Sequence, residues 1–218
     1  MAVDMCCVMV VCCHDEWLTW RADALLARLL GRLAALSFVD QRFVCTNAES
    51  VSPVIEAAGY RRLPGGLPAG RIGPELPGDF KGRLTAELKL AAGSVGNVQL
   101  TVDAAHLLLR PASVEGLFDR LLEEGDCHEV VLANTVDPHL YLEQGEGLAQ
   151  IFDHPGLDRQ KMPQLYRRAG VSISHGLRPR LGLTVTRALV APWWELLPYQ
   201  PRYHDFFEEQ SLAMDGQP

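Results

Sequence analysis

The 218-residue chain lacks an excess of positive charge: 20 Lys and Arg stand against 27 Asp and Glu, a net charge of −7. A domain that grips a nucleic-acid polymer normally presents a basic face, so polymer binding is a poor expectation, although single arginines still suit a small anion. An apolar run of membrane-spanning length is also missing. Residues 5–13 are too few to cross a bilayer, and they carry neither a basic start nor a small-residue cleavage site; the expectation is a cytoplasmic protein. None of the six cysteines falls in a Cys-x-x-Cys turn. Four form the adjacent pairs Cys6-Cys7 and Cys12-Cys13, whose side chains alternate across a strand instead of converging on a tetrahedral metal, which predicts buried reduced thiols. The histidines at 106, 139, 154 and 175 match no compact metal motif. Internal repeats and low-complexity tracts are absent as well.

What is present is an ordinary globular composition, 48% hydrophobic and 22% charged, in a length that suits one domain spanning 1–218. The most informative stretch is 97–111, an apolar run with Val98, Leu100 and Val102 that stops at Asp103 and reaches Arg110-Pro111 before a helical pattern begins. A buried parallel strand ending in a carboxylate places that carboxylate at the carboxyl edge of the sheet, where open α/β folds hold their ligands. The alternative is an Asp103 that only caps the turn after the strand.

In chain order, residues 5–13 predict a first strand, continuous and apolar as a central parallel strand should be. Leucines at 25, 26, 29, 30, 33 and 36 predict a helix over 24–36. A short strand over 43–45 follows, then a helix closed by Gly59. Gly and Pro crowd residues 61–79, which reads as one long loop. Further helices are expected over 84–92 and 113–124, the latter capped by Ser113, with a strand over 130–133. Strands alternating with helices predict a mostly parallel sheet covered on both faces. The rhythm then breaks into a hairpin of 140–142 and 149–152 around residues 144–147, a polar stretch over 153–168, short strands over 171–174 and 183–190, and a closing helix over 203–214. Trp193 and Trp194 read as core, with a lid or interface as the alternative.

Several of these segments resemble the cytidylyltransferases that activate sugar acids, the acylneuraminate (CMP-sialic acid) synthetase family in particular. The strand and helix over 98–117 are similar to that family's central unit. Leu157-Asp158-Arg159-Gln160-Lys161-Met162-Pro163, Tyr166 and Gly170-Val171-Ser172-Ile173 resemble its Arg-Gln, Leu-Pro, Tyr, Asn-Gly-Ala-Ile run. The strand 43–47 resembles its second strand, ending in Thr46-Asn47, and Asp205-Phe206-Phe207-Glu208-Glu209 looks like its closing helix. The resemblance implies a nucleotide-diphospho-sugar-transferase-like three-layer α/β sandwich with a mixed seven-stranded sheet. It also implies a homodimer exchanging a hairpin arm over about 137–168, with CTP, a small anionic acceptor and Mg²⁺ as ligands. By analogy Asp103 would hold the metal and Arg159 would serve catalysis, because hard cations take oxygen ligands and Arg grips carboxylates bidentately. Gln160, Tyr166, Thr46, Asn47, Arg21 and Arg71 would contact substrate.

Two departures bear on that implication. The family follows its first strand with a Gly-rich, basic signature that cradles the triphosphate, whereas residues 13–23 contain no Gly and no Lys, only Arg21, and carry Asp15, Glu16 and Asp23, which repel phosphate. Where the family has Asp-Ile-Asp near its C-terminus, this chain has Tyr199-Gln200-Pro201. Two readings therefore stand: an active cytidylyltransferase in which His14, Asp15 or Arg21 does part of the loop's work, or a degenerate relative that binds a ligand or partner.

Overall fold

The computed structural model describes residues 6–13, 23–46, 48–64, 98–124, 127–135, 141–144, 147–150, 166–175 and 185–216. The strand β1 (Cys7–Cys12) is wholly buried, as its unbroken apolar sequence requires. The helix α1 (Asp23–Ala34) opens on an acid, ends with Arg32 in its last turn and buries Leu25, Leu26, Leu29, Leu30 and Leu33. β2 (Gln41–Thr46) leads to the six-residue helix α2 (Ser52–Ala57). Gly59 takes φ 78° there, with its N–H donating to Glu56 O and the Tyr60 N–H to Ile55 O. Those two bonds are a Schellman closure, in which only Gly adopts the left-handed position without strain.

β3 (Arg61–Pro64) continues directly from that closure and pairs parallel with β2. These residues open the Gly- and Pro-rich stretch whose composition predicts a loop. The strand is short, at the sheet edge and terminated by Pro64, and such a segment carries little alternation to read. β4 (Val98–Asp103) is followed by α3 (Pro111–Glu123), whose N-cap is Arg110 and not Ser113: Pro111 at the first helical position needs no N–H partner and sets the helix start two residues early. β5 (Cys127–Thr135), the hairpin strands β6 (Tyr141–Gln144) and β7 (Gly147–Gln150), β8 (Tyr166–Ser174) and β9 (Val185–Val190) come next. Two 3₁₀ turns, Trp193–Leu196 and Pro201–Tyr203, lead to α4 (His204–Asp215). The expected helix over 84–92 lies outside the described residues.

Among the described residues, one sheet holds seven strands in the order β3-β2-β1-β4-β8-β5-β9. All pairings are parallel except those of β8, which runs antiparallel to both β4 and β5. β8 is longer than the strand expected over 171–174, because the polar residues Tyr166, Arg167 and Arg168 pair with Thr135, Asn134 and Ala133 of β5. β6 and β7 pair with each other in a separate two-stranded sheet.

The core joins the β1, β4 and β5 side chains to α1 and α3 and to Leu196, Tyr199 and Phe207 of the C-terminal segment. Trp193 departs from the expected core position and is 62% exposed, while Trp194 packs against the core from its edge. Cys7, Cys12, Cys13, Cys45 and Cys127 are buried and reduced, and Cys6 is only half-buried. No helix among the described residues is long and apolar enough to cross a membrane.

Burial, followed by the nearby Asp40 charge, pushes the Cys7 thiol up from 9.0 to about 12. At pH 8 its thiolate fraction is then on the order of 10⁻⁴, against about a tenth for an unfolded cysteine. Iodoacetamide at pH 8 is expected to modify native protein at Cys6 first and to reach Cys7, Cys12 and Cys45 only after unfolding, a difference read by peptide mass mapping. A raised thiol pKa also means that its contribution to stability is complete below pH 9 and is lost as pH rises towards 12.

Candidate active site at the carboxyl end of the central strand

β1, β2 and β4 end together, and their register aligns Cys45, Cys12 and Asp103 across three neighbouring strands. In parallel strands, residues matched this way project to the same face. The carboxylate therefore stands beside two thiols instead of competing acids. Cys12 is fully buried, and its thiol is held well above the usual range by burial first, then by Cys45, Asp103 and Cys13. It stays neutral beside Asp103.

Asp103 is 9% exposed. Its Oδ1 accepts from the Ala105 N–H at 2.9 Å, which turns the chain after β4 and fixes one carboxylate oxygen. Oδ2 carries no hydrogen bond among the described residues. The other wall is β8. Its register with β4 runs to Val102 opposite Val171, while its register with β5 shifts between Val131 and Ala133. Ser172 faces Val131 but Arg168 faces Ala133, so β8 carries extra residues there, a bulge containing Gly170.

That bulge brings Gly170 backbone against Asp103. A Cβ at position 170 would lie 2.6 Å from Asp103 Cβ and 3.2 Å from its Oδ2, closer than packed carbon atoms approach, so glycine is required by contact. The Gly170 N–H donates to His106 Nε2 at 3.3 Å. A nitrogen that accepts this bond carries no proton, so in this arrangement the His106 ring holds its proton on Nδ1. His106 is buried and comes from the same turn as Asp103, so turn and bulge lock together.

The remaining expected site residues divide by position. Thr46 ends β2, is buried, and its Oγ1 accepts from the Ala48 N–H at 3.1 Å, so it shapes the turn leaving the sheet. Tyr166 begins β8 opposite Thr135 of β5, at the same edge as Asp103. Arg21, Asn47, Arg71, Arg159 and Gln160, with His14, Asp15 and Glu16, lie outside the described residues. The place of Tyr199-Gln200-Pro201 is described: Tyr199 is buried, and its N–H donates to Ala105 O at 2.8 Å. Sequence reasoning did not pick out Gly170 or His106 as site residues. A Gly inside a strand pattern was the available signal for a close backbone approach.

No group of three or more His, Cys, Asp or Glu among the described residues is arranged to hold a metal ion. Mg²⁺ is commonly held by one or two carboxylates together with substrate phosphates and water. A single hard oxygen such as Asp103 Oδ2 fits that mode and does not fit a metal caged by protein alone.

The seven-stranded mixed sheet with flanking helices is the nucleotide-diphospho-sugar-transferase-like α/β fold of the cytidylyltransferases. Among solved structures, 4-diphosphocytidyl-2C-methyl-D-erythritol synthase matches over 96% of this chain and 99% of its own, with a TM-score of 0.67 and 15% identity. CMP:2-keto-3-deoxy-manno-octonic acid synthetase complexed with CTP matches over 97% of this chain and 100% of its own, with a TM-score of 0.60 and 10% identity. The 4-diphosphocytidyl-2C-methyl-D-erythritol synthase of Anaerococcus prevotii gives a TM-score of 0.59 at 8% identity, over 95% and 96% of the two chains. At these identities the likeness establishes the fold. No family model and no curated protein matches the sequence.

The 2.6 Å separation that an added Cβ would have from Asp103 Cβ makes the pinch between turn and bulge testable by substitution. Gly170→Ala is expected to lose about 1–3 kcal/mol of stability in urea denaturation, the range for overpacking a tight site. Gly31→Ala, where an added Cβ meets nothing within 4 Å, is the matched control and should not destabilise.

Proposed function

We propose that this protein transfers a cytidylyl group from CTP to a small anionic acceptor, such as a sugar acid or phosphonate, with release of pyrophosphate. The observation that carries the reading is the placement of Asp103 at the carboxyl end of β4, with one oxygen held by the turn and β8 backbone pressed against it. That position is where open α/β sheets take ligands. The fold likeness to a synthetase complexed with CTP supports the choice of nucleotide.

In this reading an acceptor oxygen attacks the α-phosphorus, the bond to the bridging oxygen breaks, and pyrophosphate departs. Mg²⁺, when bound, would neutralise phosphate charge and orient the leaving group, with Asp103 as its protein ligand. Thr46 and Asn47 would border the nucleotide from the β2 turn. Arg21 and Arg71 would offset triphosphate charge, and Arg159, Gln160 and Tyr166 would orient the acceptor anion. Positioning supplies much of the rate in such transfers, and a carboxylate locked by turn and bulge suits that demand. The finer assignment to a sialic-acid-type acceptor rests on the Arg159 to Ile173 run and remains part of this proposal.

A homodimer belongs to the same reading. The β6–β7 hairpin pairs only with itself among the described residues, and a lone two-stranded hairpin is marginal in water, which favours an arm laid on a second copy. Light scattering at micromolar concentration is expected to give the mass of two chains; a monomer would remove the arm exchange and weaken the role given to Arg159.

The nucleotide assignment is tested by melting. CTP with Mg²⁺ at about a hundredfold excess over Kd should raise Tm by roughly 5–10 °C, and ATP, GTP and UTP by less. Equal or absent shifts for all four would count against the reading. With a panel of anionic acceptors, Asp103→Asn should lower pyrophosphate release by about 10²-fold or more while circular dichroism stays unchanged. Wild-type turnover untouched by Asp103→Asn would sink the metal assignment, and no pyrophosphate with any acceptor would leave a degenerate binder.

A further inference from the structure

We propose that Glu195 is a positioning residue for Asp103, acting through Arg110 and the strap over 191–203; this rests on the reading of Asp103 as the nucleotide-site carboxylate. Glu195 is an acid within Trp193-Trp194-Glu195-Leu196-Leu197 and has no solvent exposure. An acid so placed needs donors, and both come from one residue. Arg110 Nε donates to Oε1 at 2.6 Å, and the Arg110 backbone N–H donates to Oε2 at 3.3 Å.

Arg110 is the N-cap of α3, so the carboxylate meets the positive end of that helix as well as the guanidinium. The guanidinium also lies over the Trp194 ring, 5.1 Å from its centroid, which holds its plane. Arg110 ends the turn that Asp103 begins. The other end of that turn is gripped by the same strap, through the Tyr199 N–H to Ala105 O at 2.8 Å. Ala105 is the residue whose N–H holds Asp103 Oδ1. The strap therefore clamps both ends of the segment that orients the carboxylate, while Ala191 N–H fixes the strap to Ala133 O of β5 at 2.8 Å. Tyr199 is itself anchored by its hydroxyl to His204 Nδ1 at 3.0 Å and by ring contact with Phe207.

The test compares Glu195→Gln, which keeps volume and loses charge, with wild type. Amide hydrogen exchange at Ala105, His106 and Leu109 is expected to accelerate about tenfold, while Leu29 and Leu30 in α1 change less than twofold. The dissociation constant for CTP with Mg²⁺ is expected to rise about tenfold alongside. Arg110→Lys, which keeps the charge but not the planar fork, should move both readouts the same way by a smaller factor, and it carries the test if Glu195→Gln does not fold. Unchanged exchange in the turn, acceleration shared by α1, or faster exchange with unaltered nucleotide affinity would each overturn the proposal. If wild type binds no CTP, the nucleotide reading fails by itself, and exchange in the turn alone decides whether Glu195 positions Asp103.

Discussion

Between Asp103 and Arg110 the chain passes from a buried strand to a helix through a turn that satisfies its own backbone only in part, by the His106 N–H to Asp103 O and the Leu109 N–H to His106 O. Buried backbone donors and acceptors must find partners, and here they come from four directions. Asp103 Oδ1 takes the Ala105 N–H, Tyr199 donates to Ala105 O, Glu195 takes the Arg110 N–H, and Arg32 of α1 donates to Leu107 O. Arg32 also reaches Ser211 Oγ and Asp215 of α4, so one guanidinium ties the first helix, the last helix and this turn together. Helices α1 and α4 thus meet at the segment that follows the central strand.

The same constraint explains the glycine in β8. The antiparallel ladder of β8 with β4 stops at Val102 opposite Val171, and beyond that point β8 carries extra residues relative to β5, which form the bulge. The bulge redirects the Gly170 N–H to His106, a side chain supplied by the turn itself. Glycine at 170 and histidine at 106 are thus two halves of one contact, and neither can be explained from its own element.

This division tracks what the sequence disclosed. An unbroken apolar run revealed β1, which is buried on both faces, and apolar periodicity revealed α1 and α3, because burial on one side of a helix leaves a repeat in its own residues. The strand-end position of Asp103 was legible for the same reason. β3 was not, since four residues at an edge bury too little to leave a pattern, and the antiparallel run of β8 was hidden by its polar start. Glu195 stands between tryptophans and leucines in sequence and drew no reading, because its partner lies 85 residues away. Pairwise contacts of that separation leave no periodic trace. Likewise the exposure of Trp193 beside a half-buried Trp194 follows from the 3₁₀ turn, whose successive side chains diverge.

Stability alone does not account for the residues gathered at this turn. Replacing a buried ion pair by apolar side chains is often neutral or stabilising, and a glycine inside a strand weakens it. Glu195, a buried acid paired with a half-exposed Arg110, and Gly170 are both costly choices, and each is placed where it limits the freedom of the segment bearing Asp103. Their effect is selective: Gly170 admits β8 to within contact of the carboxylate, and Glu195 holds the far end of the turn in one orientation through two hydrogen bonds. Departures from the locally most stable choice concentrate at functional sites. Two such departures converge on one carboxylate at the carboxyl edge of the sheet, and they are the physical reason for proposing the site there.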